Sequence, residues 1–134
     1  MLRFLLDTDT AIELQHRRDP ELSARFAEHA SELALSATSA FELWHGAERS
    51  SNPTQNRHAT DEFLSLFALV NFDLDAASHA AEMRAELTAS GTPIGAYDLQ
   101  IAAIARARGM TVITGNTREF ARVPGLRTVD WLHR

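Results

Sequence analysis

Two carboxylates close the first apolar run of the chain. In "FLLDTD", the run from Leu2 to Leu6, broken only by Arg3, stops at Asp7 and Asp9. Three further polar residues stand in comparable places: Glu42 follows "ELALS", Asp98 follows "TPIG", and Asn116 follows "MTVIT". An apolar run that delivers acids to its own end is either a strand entering a turn or a sheet edge that presents a site. In an open α/β sheet, ligands bind beyond the carboxyl ends of the strands, near helix N-termini. Three carboxylates and an amide gathered there, with no lysine beside them, form a set for a hard cation, and oxygen-only ligands suit Mg2+ or Mn2+. Each residue also has a purely structural reading. Ser39-x-x-Glu42 fits a capping box, Asp98 suits the positive end of a helix, and Asn116, with Glu119 three residues on, makes a good N-cap. Singly, the structural readings lead, because caps are commoner than catalysts. Jointly they weaken, since the expected topology brings all four to one edge.

The elements that must position these residues follow from periodicity. "RFLL" reads as a strand, and Thr8 to His16 as a short helix. The "RRDPEL" turn starts a second helix with Pro20 in its first turn. "ELALS" (Glu32 to Ser36) is a strand and "TSAFELWHGAERS" a helix, which places Glu42 in that helix's first turn. Apolar residues recur at helical spacing from Thr54 to Leu69. "LVNFD" is extended, and Asp75 is expected to cap a helix buried along Ala76, Ala80, Met83 and Leu87. After the break at "SGTPIG", "AYDLQIAAIARARG" is an Ala-rich helix ended by Gly109, "MTVIT" a β-branched strand and "LRTVDW" a last short strand. Strands alternating with helices predict one α/β domain over residues 1–134, a parallel sheet with helices on both faces.

Composition narrows the function classes. The chain has 134 residues, 18 of them acidic and 13 basic, for a net charge of −5, which argues against a basic nucleic-acid coat protein. It does not exclude an enzyme that meets phosphates through bound cations. There is no cysteine, hence no disulfide framework and no thiolate zinc site. No apolar run is long enough for a membrane span, and a soluble cytoplasmic protein is expected. All the basic residues are arginine or histidine, never lysine. That counts against two other readings of "DTDT", the haloacid-dehalogenase-type phosphatase and the response-regulator receiver, since both need a lysine near the phosphoryl group. The dehalogenase motif also wants Thr or Val where Ala11 stands. The six histidines show no metal-ligand spacing; His45 alone falls near the expected site, and Arg118 and Arg122 flank Phe120 where a guanidinium could grip a phosphate.

Taken together, "FLLDTDTAI", "SATSAFELWHGAE", "GTPIGAYDLQIAAIARARG" and "VITGNTREFARVPGLRTVDW" resemble the PIN-domain toxins called VapC, of bacterial toxin–antitoxin pairs. The resemblance runs almost end to end, in order and spacing. It implies a PIN-like fold and a Mg2+- or Mn2+-dependent endoribonuclease acting on structured RNA such as tRNA or ribosomal RNA, with initiator tRNA the target of the most similar subgroup. It implies a homodimer, a cognate VapB-like antitoxin, and contact with DNA only through that antitoxin. On matching positions Asp7, Glu42 and Asp98 are the acidic metal-binding core, and Asn116 stands where many PIN domains carry a further Asp. Asp9 departs from the family's usual Asn and is a candidate for a supporting role beside the ligands. A PIN domain that binds RNA or protein without cutting is the non-enzymatic alternative.

Overall fold

The computed structural model describes residues 1–17 and 19–132; Arg18, within the "RRDPEL" turn, lies outside them. Five short parallel strands form one sheet in the order β3-β2-β1-β4-β5: β1 (Phe4–Leu6), β2 (Leu33–Ser36), β3 (Ala68–Val70), β4 (Thr111–Ile113) and β5 (Arg127–Val129). β1 pairs with β2 through Phe4–Leu33 and with β4 through Leu5–Val112. The chain therefore builds outward from β1 in one direction, then returns to add β4 on its other side. The point of reversal lies between β1 and β4, where an open parallel sheet forms its crevice.

Alternation along each strand supplies a core to both faces. Leu5, Ala34 and Val112 join one cluster, roofed by α5 (Leu74–Ala89) and α6 (Ala96–Arg108) through Met83, Leu87, Ile101 and Ile104. Leu6, Leu33, Leu35 and Ile113 join the other. It is covered by α1 (Thr8–His16), α2 (Pro20–Glu28), α3 (Ala37–Glu48) and α4 (Pro53–Leu64), with Trp131 packed beneath. A four-residue α7 (Thr117–Phe120) follows β4 and buries Phe120. Gly109 ends α6 at φ 68°, a conformation that costs glycine little.

Three expectations need correction. The 54–69 helix stops at Leu64, because Ala68–Val70 must be extended to pair with Ala34–Ser36 of β2. Its apolar residues are then mostly internal: Leu64 and Phe67 are buried and Phe63 packs on the core, which leaves Leu66 and Leu69 exposed. Asp73, not Asp75, caps α5; its Oδ1 accepts the Ala76 N–H at 2.9 Å, and Asp75 sits in the first turn. Ser36, not Ser39, caps α3 by accepting the Ser39 N–H at 3.0 Å. Glu42 is consequently in the second turn, and the Ser39–Glu42 capping box does not form.

Candidate active site

Asp7 leaves β1 and caps α1 in a single residue. Its Oδ1 accepts the Thr10 N–H at 2.8 Å, and its Oδ2 accepts the hydroxyl of Thr114, the first residue past β4. The Thr114 oxygen in turn accepts the Asn116 N–H at 2.9 Å. The carboxyl ends of the two central strands are thus tied together through an acid that is only 3% exposed. Burial pushes the Asp7 carboxyl above its ordinary range, outweighing the opposing hydrogen bonds from Thr10 and Thr114.

Glu42 arrives from β2 and α3. Its Oε1 accepts the Thr8 hydroxyl at 2.6 Å, and the Thr8 oxygen also lies 3.0 Å from Ser39 Oγ. The residue after Asp7 therefore spans from α1 to α3 and holds Glu42 on the same edge. Asp98 is the third residue of α6, where the helix dipole favours a negative charge. Its carboxyl is nevertheless raised to about 6, by burial first and then by repulsion from Glu119, Asp7, Glu42 and Asp9. That repulsion is itself the sign that the topology gathers these acids.

Asn116 precedes α7, but its side chain makes no capping bond. Its Nδ2 donates instead to Glu119 Oε2 at 2.6 Å, while Glu119 Oε1 accepts the Gly95 N–H at 3.1 Å. Glu119 therefore bridges the loop after β4 to the start of α6, and it is the charge that acts most strongly on Asp98. The sequence marks Glu119 only as a capping partner of Asn116. Its nearness to residues 95 and 98 exists because β4 lies beside β1, and no local spacing encodes that. Asp9 is exposed and acts on Asp7 and Asp98 through space. Arg122 donates to the Pro93 carbonyl at 3.1 Å, steadying the loop before α6, and Arg118 is exposed.

Among the described residues, no basic side chain forms an ion pair with Asp7, Glu42, Asp98 or Glu119; the arginine pairs lie elsewhere, as in Arg3–Glu32 and Arg106–Glu82. Carboxylates that are buried (Asp7) or half-buried, that repel one another and that have no counter-charge among the described residues suit a divalent cation, and the all-oxygen donor set suits a hard one. No three acidic or imidazole side chains among the described residues already stand as a closed chelate.

Residues 4–126 match the PIN domain family. The tRNA(fMet)-specific endonuclease VapC of Salmonella typhimurium is 40% identical over 98% of this chain and 99% of its own. Ribonuclease VapC2 of Haemophilus influenzae is 37% identical over 98% of this chain and 100% of its own. The chain belongs to the VapC family of PIN domains. The fold of this PIN domain agrees: the DNA-bound VapBC structure from Salmonella typhimurium superposes with a TM-score of 0.94 at 40% identity, covering 98% of this chain and 99% of that one. VapBC2 from Rickettsia felis, bound to a promoter DNA fragment, superposes with a TM-score of 0.90 at 28% identity, covering 97% and 99%. The parallel sheet with helices on both faces expected from the sequence is the observed one.

Proposed function

We propose that this VapC-family protein is the toxin of a toxin–antitoxin pair, a divalent-metal-dependent endoribonuclease whose centre is the acidic edge at β1 and β4. The observation that carries the reading is the crowding of Asp7, Glu42, Asp98 and Glu119 at one strand edge, with no basic partner among the described residues. The relatives, a tRNA(fMet)-specific endonuclease and a ribonuclease, support tRNA as the substrate class and initiator tRNA as the target.

Asp7 and Asp98 would hold the Mg2+ or Mn2+ ion, with Glu42 and Asn116 completing its surroundings. Such an ion supplies a polarised water and positive charge for the phosphate oxygens. The chain's own residues do the rest. Thr114 and Thr10 hold Asp7 in one orientation, and Thr8 does the same for Glu42. The Glu119 bridge fixes the start of α6 and so the position of Asp98. Burial of Asp7 excludes water from its hydrogen bonds and strengthens them.

A cognate VapB-like antitoxin fits the open groove between α1, α3 and α4. This groove has a volume of about 420 Å3, is lined by Ile12, Gln15, Leu43 and Ala59, and reaches Glu42. A helix laid there would sit against the acidic edge and block RNA. The VapBC neighbours, solved bound to DNA, support this partner; in this reading the antitoxin carries the contact with DNA. Leu66, Leu69 and Phe72 remain exposed around the edge strand β3 and suit burial in a homodimer. Light scattering is expected to report a dimer at micromolar concentration; a monomer there removes that part of the reading.

Asn116 separates ligand from cap. Its side chain does not cap α7, so Asn116→Ala is expected to leave thermal stability nearly unchanged and to cut cleavage less than Asp98→Ala does, with partial recovery at higher Mn2+. Asn116→Asp replaces the donor to Glu119 with a second carboxylate. The metal-free protein should then melt lower, and added metal should raise its melting point more than in wild type. Equal metal responses in all three proteins would reduce Asn116 to a loop residue. The function as a whole is tested by sequencing RNA ends after brief expression. New ends at one tRNA loop position are expected, and an unchanged RNA pool contradicts the assignment.

A further inference from the structure

Phe41 and Tyr97 are large aromatic residues left 47% and 46% exposed. They come from different helices yet meet edge to face, with ring centroids 5.4 Å apart and planes at 63°. His45, one turn along α3, lies parallel to Phe41, 6.1 Å away at 4°. The arrangement is braced from below: Thr38, one turn before Phe41, donates its hydroxyl to Gln100 Oε1 at 2.9 Å and locks α3 to the first turns of α6. Each ring also stands immediately before an acid of the site, Phe41 before Glu42 and Tyr97 before Asp98.

We propose that Phe41, Tyr97 and His45 form a stacking platform for an unpaired base of the RNA, one that flanks the scissile phosphate. This rests on the ribonuclease reading and extends it to a substrate subsite. Phe41 and Tyr97 join α3 and α6 in their N-terminal halves, on the same two helices that bring Glu42 and Asp98 to the edge. Single-stranded loops are gripped by stacking splayed bases on aromatic faces, while charge handles the backbone. The Phe41 and Tyr97 rings have no charge to offer a phosphate, so a base is the part of the nucleotide they fit. The antitoxin groove takes other residues of α3, Leu43, Gly46 and Ala47, which leaves the aromatic face to the substrate. Stacking reads little sequence, so the platform orients the strand for in-line attack and leaves base identity to other contacts.

The test couples protein and RNA changes. The cleavage site in a short hairpin RNA is mapped with wild type, and each flanking nucleotide is then replaced by an abasic one. One of these substitutions is expected to lower wild-type kcat/KM roughly tenfold or more. The same substitution should cost Phe41→Leu little, because that variant keeps an apolar side chain but has already lost the π face. Phe41→Tyr should restore the wild-type sensitivity. If the abasic substitution costs Phe41→Leu and Tyr97→Leu as much as wild type, the platform is disproved while the ribonuclease stands. Conversion of a dimer to monomer by Phe41→Leu would assign the rings to a subunit contact and overturn the proposal. Failure of wild type to cut intact RNA would take down both readings.

Discussion

Asp98→Ala is expected to lower metal-dependent RNA cleavage by at least about a hundredfold, the scale of losing a ligand from a metal that stabilises several kcal/mol of transition-state charge. The fold should survive, because Asp98 is half-buried at a helix start and is not one of the apolar residues that form the core. Removing it also relieves repulsion from Glu119, Asp7 and Glu42, so the metal-free variant should melt no lower than wild type. Asp7 is less simple. Asp7→Ala deletes the α1 cap together with the proposed ligand, at a cost of about 1 kcal/mol from the cap alone. Asp7→Asn keeps an oxygen for the Thr10 N–H, and it removes the charge together with the second acceptor, which takes the Thr114 hydroxyl in wild type. Both Asp7 variants should be inactive, with Asp7→Asn the more stable of the two in thermal melts. Activity near wild type in Asp98→Ala or Asp7→Asn would remove that residue from the metal site.

Cleavage at limiting Mg2+ should fall roughly tenfold per pH unit below about pH 6, because the ion must displace a proton from Asp98, whose carboxyl titrates near about 6. Raising the metal concentration should shift the break to lower pH, since cation and proton compete. Metal-free stability should run the opposite way. Between the unfolded value of 3.8 and about 6, the native carboxyl keeps a proton that the unfolded chain has lost. Stability is therefore highest below that window, declines as pH rises through it and is level above. Asp98 is half-buried, so after discount for solvent screening the contribution is on the order of 1 kcal/mol. Melts of wild type and Asp98→Asn from pH 4 to 7 isolate it by difference. Burial raises Asp7 in the same direction, so its contribution should remain in the variant. A flat pH profile of cleavage at limiting metal would mean that Asp98 does not titrate against the ion.

How far the sequence reached depended on whether a signal was local. The alternation of Phe4, Leu5 and Leu6, and the β-branched Val112 and Ile113, announce two-faced buried strands. The positions of Asp7 and Asp98 at element boundaries follow from that pattern. Cap identity was harder, because Asp73 and Asp75 are equally able acceptors and only the backbone at Asp73, extended at φ −90°, selects between them. The 54–69 stretch misled because Phe63, Leu66, Phe67 and Val70 keep helical spacing across the point where β2 imposes strand pairing. Thr8, Thr114 and Glu119 were illegible as site residues. Their contacts with Glu42, Asp7 and Gly95 span 34, 107 and 24 residues, distances that only the assembled sheet closes.

The central claim is that this acidic edge cuts RNA with the help of a divalent ion. The most direct measurement incubates the purified protein with tRNA in Mg2+, in EDTA, and in EDTA followed by excess Mn2+, with Asp98→Asn run in parallel. The account predicts cleavage at a single loop position in Mg2+, none in EDTA, recovery with Mn2+ and none in the variant under any condition. Cleavage that persists in EDTA, or that Asp98→Asn performs as well as wild type, would contradict it.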